Sequence, residues 1–164
     1  MLSYCVFLGC IVLTMLKYGN SQGSGQSLIK DGDNDLVSVF EAWQRKKNVS
    51  GSMGSKLSLV GVRINCIGKI PDTLCVPIKT IYLSNNMLSD VDGISQLTNL
   101  QHISLSDNQL VYLEKLVSLK TCKRLESIAI GGNKVTRMPY FREYLLDCCP
   151  RLRSIDGKRL QTSS

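Results

Sequence analysis

Histidine occurs once in these 164 residues, at His102, and tryptophan once, at Trp43. A single imidazole excludes a multi-histidine metal site and leaves a histidine-dependent nucleophile only one candidate base. Aromatic side chains make up 6% of the chain, too few to furnish stacking platforms for single-stranded nucleic acid. There is no phosphate-cradling glycine loop, no C-x-x-C pair, and no pair of carboxylates in a recognisable catalytic motif. The sequence therefore predicts no catalytic residue, no metal ligand set and no cofactor: a binding protein, not an enzyme. Charged residues at 20% and apolar residues at 43% lie near globular averages, which excludes wholesale disorder, and the length fits one domain.

Acidic side chains are in short supply overall, 13 against 20 basic, for a net charge of +7. They are also unevenly placed. Residues 71–116 carry a net −3, while residues 117–164 carry +6. This predicts a bipolar surface with a basic C-terminal end, suited to an acidic partner and less well to RNA.

Residues 1–35 read as a hydrophobic segment followed by a linker. Cys5–Leu16 is free of charge but shorter than the ~20 residues that cross a bilayer as a helix. It fits a signal-peptide core with a small-residue site at Gly19-Asn20-Ser21, though no Lys or Arg precedes it; a retained anchor and a non-functional extension are the other readings. No obligatory membrane association is expected. Ser21–Ser27 reads as linker. Asp31, Asp33 and Asp35 lack the glycine and the distal glutamate of a calcium loop and read instead as the approach to a helix, with Asp35 its cap. The seven cysteines are an odd and scattered set. Cys66, Cys75 and Cys122 fall within apolar periodicities as small buried hydrophobes, a pattern that favours a reducing compartment. The sequon Asn48-Val49-Ser50 matters only on the secretory route.

Repetition is the strongest signal. Residues 78–88 place Ile78, Ile81, Leu83, Asn86 and Leu88 on a template repeated by Leu100, Ile103, Leu105, Asn108 and Leu110, and again by Leu125, Ile128, Ile130, Asn133 and Val135. A weaker copy is placed at Leu57, Val60, Val62, Asn65 and Ile67. The asparagines then recur at spacings of 21, 22 and 25 residues. Four copies of L-x-x-L-x-L-x-x-N-x-L define a leucine-rich repeat. The alternating core of each copy predicts a short strand, and stacked copies predict a parallel sheet. The asparagines Asn65, Asn86, Asn108 and Asn133 are expected to form a structural ladder, their amides serving backbone groups that the turns leave unpaired.

The expected fold is an α/β solenoid of about four repeats over 57–138, with a short parallel concave sheet and a helical cap at each end. Leu36, Val39, Phe40 and Trp43 at helical spacing predict the first cap over 36–47. Pro139 opens the second, over 139–160, with helix Tyr140–Cys149 and a final apolar edge at Leu152 and Ile155. One domain, 36–164, results.

The 22-residue copies, with Leu88-Ser-Asp-Val-Asp-Gly-Ile-Ser-Gln-Leu97 following the asparagine, resemble the repeats of the leucine-rich-repeat regulator of type-one protein phosphatase. The stretch from Gly132 through Pro139, Tyr140, Arg142 and Tyr144 to Cys149-Pro150, Leu152, Ile155 and Asp156-Gly157 is similar to that family's C-terminal cap. The same cap occurs in the light chain of axonemal dynein, in ciliary and centrosomal proteins and in the spliceosomal A-prime protein. The resemblance implies a non-catalytic protein-binding scaffold that works through its concave sheet. Two departures stand out. Asn65-Cys-Ile67-Gly-Lys-Ile70-Pro71 is similar to a pattern of plant extracellular repeats, and four copies are fewer than the phosphatase regulator has.

Alternation predicts the outward side chains of the concave face: Leu59, Gly61 and Arg63, then Thr80, Tyr82, Ser84 and Asn85, then His102, Ser104, Ser106 and Asp107, then Ser127, Ala129, Gly131 and Gly132. The partner-binding set is expected at Thr80, Tyr82, Ser84, His102, Ser104, Ser106 and Asp107, with Tyr82 as anchor. A second surface is the basic cap, with Lys120, Lys123, Arg124, Arg137, Arg142, Arg151, Arg153, Lys158 and Arg159. The expected role is a scaffold or adaptor in the cytoplasm, at the cytoskeleton, cilium or centrosome. The alternatives are a nuclear spliceosomal ribonucleoprotein assembly factor and a secreted recognition protein.

Overall fold

The computed structural model describes residues 35–39, 41 and 54–160. The N-terminal hydrophobic segment, the linker, most of the predicted first cap including Trp43, and the sequon at Asn48 lie outside the described residues. Within them the chain winds coil upon coil, each coil giving one short strand to a single sheet. The strands are β1 (Lys56–Ser58), β2 (Thr80–Tyr82), β3 (His102–Ser104), β4 (Ser127–Ala129), β5 (Ser154–Ile155) and β6 (Lys158–Arg159). They pair in sequence order, parallel from β1 to β5.

The register follows from the repeat. Leu57, Ile81, Ile103, Ile128 and Ile155 stand side by side across five strands, and all five are buried. Two residues on, Leu59, Leu83, Leu105 and Ile130 form a second buried row. The side chain between the rows points the other way, which is the period of two read from the sequence. Ile64, Leu88, Leu110 and Val135 close the core on the return side of the coils, all fully buried. Each of these side chains contributes about 1.5–3 kcal/mol relative to leaving it in water. No coil buries both of its faces alone, so this energy is available only to the stack.

The return side is irregular. Short 3₁₀ segments run over Ile94–Gln96, Leu113–Thr121 and Lys134–Arg137, and a single helical turn over Asp72–Cys75. The C-terminal cap helix spans Phe141–Cys148, one residue shorter at each end than expected. Phe141, Leu145 and Cys148 are buried beneath it and Cys149 just past it. Tyr140 is therefore not the first helical residue but its cap, in a left-handed conformation (φ 59°).

Beyond the cap helix the chain re-enters the sheet as β5 and doubles back as β6. Asp156 and Gly157 both hold positive φ, 49° and 74°, which makes this a two-residue hairpin turn of the type that Asp-Gly favours. At the other end, Leu36 donates its amide to the carbonyl of Cys66 at 3.1 Å, and Asp35 bridges the same residue. Residues 36–39 are helical, and the Asp35 carboxylate accepts the Ser38 amide at 2.6 Å. That is the capping geometry the sequence predicts for Asp35.

The first coil corrects the sequence reading. Its strand pairs Leu57 with Ile81 and Ser58 with Tyr82, so Val62 occupies the position of Asn86, and Ile64 that of Leu88. The copy is shifted three residues from the expected placement. Asn65 is exposed and stands outside the ladder, while Ile64 and Ile67 are fully buried. Leu59, expected on the outward face, is 1% exposed and belongs to the core. Cys66 is exposed, against the expected burial, whereas Cys75 and Cys122 are buried as expected.

Candidate interaction surface

The sheet face is held open by what lies behind it. Asn86, buried, accepts the amides of Val62 and Ile64 on its Oδ1 at 3.1 and 3.0 Å, and its Nδ2 donates to the carbonyls of Leu59 and Leu83 at 2.8 and 2.9 Å. Asn108 repeats this one coil later, accepting from Leu88 at 3.0 Å and donating to Leu83 and Leu105, both at 2.9 Å. Asn133 does so again, accepting from Leu110 at 3.1 Å and donating to Leu105 and Ile130, both at 2.8 Å. Every rung reaches backward to the preceding coil, which is why the first coil needs no asparagine of its own. At the last described coil a carboxylate stands where a strand carbonyl stands elsewhere: Ile130 and Gly131 donate to Asp156 at 2.7 and 2.9 Å, whereas the equivalent Leu83 and Leu105 donate to the carbonyls of Ser104 and Ala129.

Immediately after the strands the backbone turns left-handed at Gly61, Asn85, Asp107 and Gly132, with φ of 69°, 57°, 55° and 77°. Asn and Asp tolerate this region better than other side chains, and glycine does so freely. The four positions stack: Gly61 donates to the Ser84 carbonyl, Asn85 to that of Ser106 and Asp107 to that of Gly131, at 2.8–3.0 Å.

On the concave face the structure brings together most of the predicted set. Tyr82 and Ser104 are direct cross-strand partners, and so are Thr80 and His102. Tyr82 is 39% exposed. Ser84 and Ser104 share a hydroxyl hydrogen bond at 2.6 Å, and Ser154 donates to Ser127 at 2.8 Å. His102 and Asp107 are exposed, and Ser84, Ser104 and Ser106 half-buried. Thr80 departs from expectation: it is 5% exposed and offers a partner almost nothing. The surface is thus one aromatic ring, one imidazole and a row of hydroxyls, flattened toward β4 by Ala129 and Gly131. Sequence reasoning did not single out Lys56, which stands in the Thr80–His102–Ser127 row on the edge strand.

The predicted basic cap does not form one patch. Lys120 is ion-paired with Asp147 at 3.3 Å, on the return side. Arg137 and Arg142 lie beyond the C-terminal end of β4, in a 3₁₀ segment and in the cap helix. Lys123, Arg124, Arg151 and Arg153 gather instead where β4 and β5 begin, and Lys158 and Arg159 form the exposed β6 beside them.

Among the described residues no group of three His, Cys, Asp or Glu side chains could hold a metal ion. No helix there is long and apolar enough to cross a membrane. None of the five described cysteines is in a disulfide. Burial pushes the Cys149 thiol up to about 12, with Cys148 and Cys122 adding to the effect. Cys149 donates to the carbonyl of Leu119 at 3.7 Å, and Cys122 to that of Ile94 at 3.7 Å, so these thiols act as packing groups.

Comparison with known proteins supports the same architecture. The family described as Leucine Rich repeats (2 copies) matches residues 78–118. The U2 small nuclear ribonucleoprotein A′ of Mycosarcoma maydis is 28% identical over 141 residues, covering 84% of this chain and 56% of that protein. Leucine-rich repeat-containing protein 56 of Rattus norvegicus is 30% identical over 136 residues, covering 79% of this chain and 24% of that one. The chain therefore spans about half the length of the first relative and a quarter of the second. Among solved structures, a chain of the Drosophila melanogaster SNF/U2A′ complex superposes with a TM-score of 0.61 at 26% identity, over 67% of this chain and 63% of that one. The repeat spelled by the sequence, the coil followed by the backbone and the family matched at residues 78–118 are one object: this chain is a leucine-rich-repeat protein.

Proposed function

We propose that the chain is a non-catalytic adaptor that binds a protein partner on its concave sheet face. The observation that carries this is the position of Tyr82, an exposed aromatic ring in mid-sheet, next to Ser104 and one row from the exposed His102. Tyrosine is a frequent interface anchor because it buries a large area at little cost in rotamer entropy. The ring rises from a backbone that the ladder fixes on its far side, so little ordering energy is lost on binding.

A nuclear ribonucleoprotein particle is the first setting for this adaptor. The likeness to a U2 small nuclear ribonucleoprotein A′ over most of the chain supports it, as does the likeness to a solved SNF/U2A′ complex. A cytoplasmic setting at the cytoskeleton, cilium or centrosome is the second reading. The capping stretch from Gly132 to Gly157 is compatible with both settings, since it resembles the cap of the axonemal dynein light chain as well as that of the spliceosomal A-prime protein.

The test has two parts. Imaging the C-terminally tagged full chain separates nuclear, cytoskeletal and secretory destinations. Affinity capture from the compartment so identified, with wild type beside Tyr82→Ala combined with His102→Ala, then asks whether the concave face is the site. Loss of the captured partner in the double variant supports the reading, and unchanged capture places the interface elsewhere.

A further inference from the structure

We infer that the rim from which the strands start is a docking track for a carboxylate-rich segment of the protein that occupies the concave face. This rests on the concave-face reading above and adds the chemistry of the partner. The rim is an ordered column. The carbonyl of Lys79 accepts the amides of Gln101 and His102, that of Gln101 accepts Glu126 and Ser127, and that of Glu126 accepts Arg153 and Ser154. A second column lies alongside. Arg124 donates to the Asn99 side-chain oxygen at 2.9 Å, and Asn99 donates in turn to the Val76 carbonyl at 3.1 Å. The guanidinium of Arg124 is thereby laid along the rim.

Lys79, Lys123, Arg124, Arg151, Arg153 and Arg159 are all exposed. None of the six is ion-paired with a described residue, whereas Lys120, on the return side, pairs with Asp147. Glu126 is the single carboxylate in the Lys79–Arg153 column. Arg124 and Arg151 precede successive strands, β4 and β5, which lie ~4.8 Å apart, so their charges repel and an anionic partner relieves that repulsion. Lys158 and Arg159 also keep the sheet edge from pairing with another chain, but Arg124, Arg151 and Arg153 are not on that edge and have no such role. Four of the six are arginines, whose planar forks pair with carboxylates through two hydrogen bonds. Against a single-stranded nucleic acid stands the lack of any Phe, Tyr or Trp among the described residues of this rim to stack a base. Tyr82 is on the concave face, and Tyr112 and Tyr140 open segments on the return side.

The test is a fluorescence titration of the full chain with a labelled oligo-glutamate peptide at low and at physiological salt. Arg151→Glu with Arg153→Glu should weaken binding about tenfold, and Arg151→Lys with Arg153→Lys should retain most of it. Lys123→Glu with Arg159→Glu is a second reversal, should the first fail to fold by circular dichroism. Lys134→Glu, a charge reversal in the 3₁₀ segment away from the rim, should leave the peptide affinity nearly unchanged. Partner capture with Tyr82→Ala and His102→Ala tests the concave face apart, so failure of the rim and failure of the concave-face reading are seen separately. Peptide binding untouched by either reversal overturns the inference. So does oligo-uridine bound as tightly as the peptide and lost in the same variants, which assigns the rim to phosphates. Self-association of the wild type that vanishes on reversal also overturns it, making a second copy the occupant.

Discussion

The side-chain oxygen of Asn108 lies 3.0 Å from the amide nitrogen of Leu88, a residue of the preceding coil. The same asparagine gives both of its N–H groups to carbonyls, one on each coil. It is therefore a rivet between two coils and not an internal brace of one. Asn108→Leu strands the Leu88 amide and takes one of two side-chain donors from each of the Leu83 and Leu105 carbonyls. It should destabilise the chain by about 1–3 kcal/mol, read as a lower urea midpoint. Asn65→Leu, made on an exposed residue outside the ladder, should leave the midpoint nearly unchanged.

Gly132 combines φ of 77° with the carboxylate of Asp107 lying against the place a β-carbon would fill. Gly132→Ala meets both a strained backbone and a steric overlap, and should cost about 1–3 kcal/mol. Asp107→Gly together with Gly132→Ala removes the side-chain overlap and leaves the backbone strain and a 3.1 Å approach to the amide nitrogen of residue 107. A double variant no more stable than Gly132→Ala alone would show that the carboxylate simply swings aside.

Asp156 holds the amides of Ile130 and Gly131 from a turn that is itself left-handed. Asp156→Ala should lower stability by about 1–3 kcal/mol. Hydrogen exchange should quicken at those two amides first, because the defect is confined to the last coil.

Thiol chemistry should divide the described cysteines. Cys66 is exposed, whereas Cys149 is buried and shifted from its ordinary 9.0 to about 12. Iodoacetamide at neutral pH should modify Cys66 well before Cys149, as followed by mass spectrometry. For Cys149 the folded thiol resists ionisation more than the unfolded one. Its contribution to stability is therefore complete below pH 9 and declines as pH rises toward 12. Cys149→Ala should flatten that alkaline decline, in a melting series across the same range.

The three coils from Ile78 to Met138 were legible in the sequence because each carries its own asparagine and apolar spacing. The cap helix was legible because Phe141, Leu145 and Cys148 recur at helical spacing between Pro139 and Pro150. The first coil was misplaced for a physical reason. Each asparagine serves the coil before its own, and among the described residues no coil precedes this one. An asparagine at Val62 would therefore have no turn to serve, and Asn65 drew the alignment three residues along. Thr80 was placed on the correct face but not with the correct burial, since alternation gives direction and says nothing of what crowds a side chain. The division of the basic residues between rim and return side was likewise hidden. Lys120 and Lys123 are three residues apart in sequence, but one sits in a 3₁₀ segment paired with Asp147 while the other follows the turn into β4.

The backward reach of the ladder gives the solenoid a direction in time as well as in space. A coil leaving the ribosome has its apolar residues and its turn in place, but the groups that satisfy that turn belong to a coil not yet made. Closure therefore trails synthesis by one repeat, about 22–25 residues by the spacing of Asn86, Asn108 and Asn133. The amides at the end of β4 likewise wait for Asp156, made 25 residues after Gly131. Until that carboxylate arrives, the β4 turn is the unfinished end of the stack and the place where a nascent chain is open to wrong pairing.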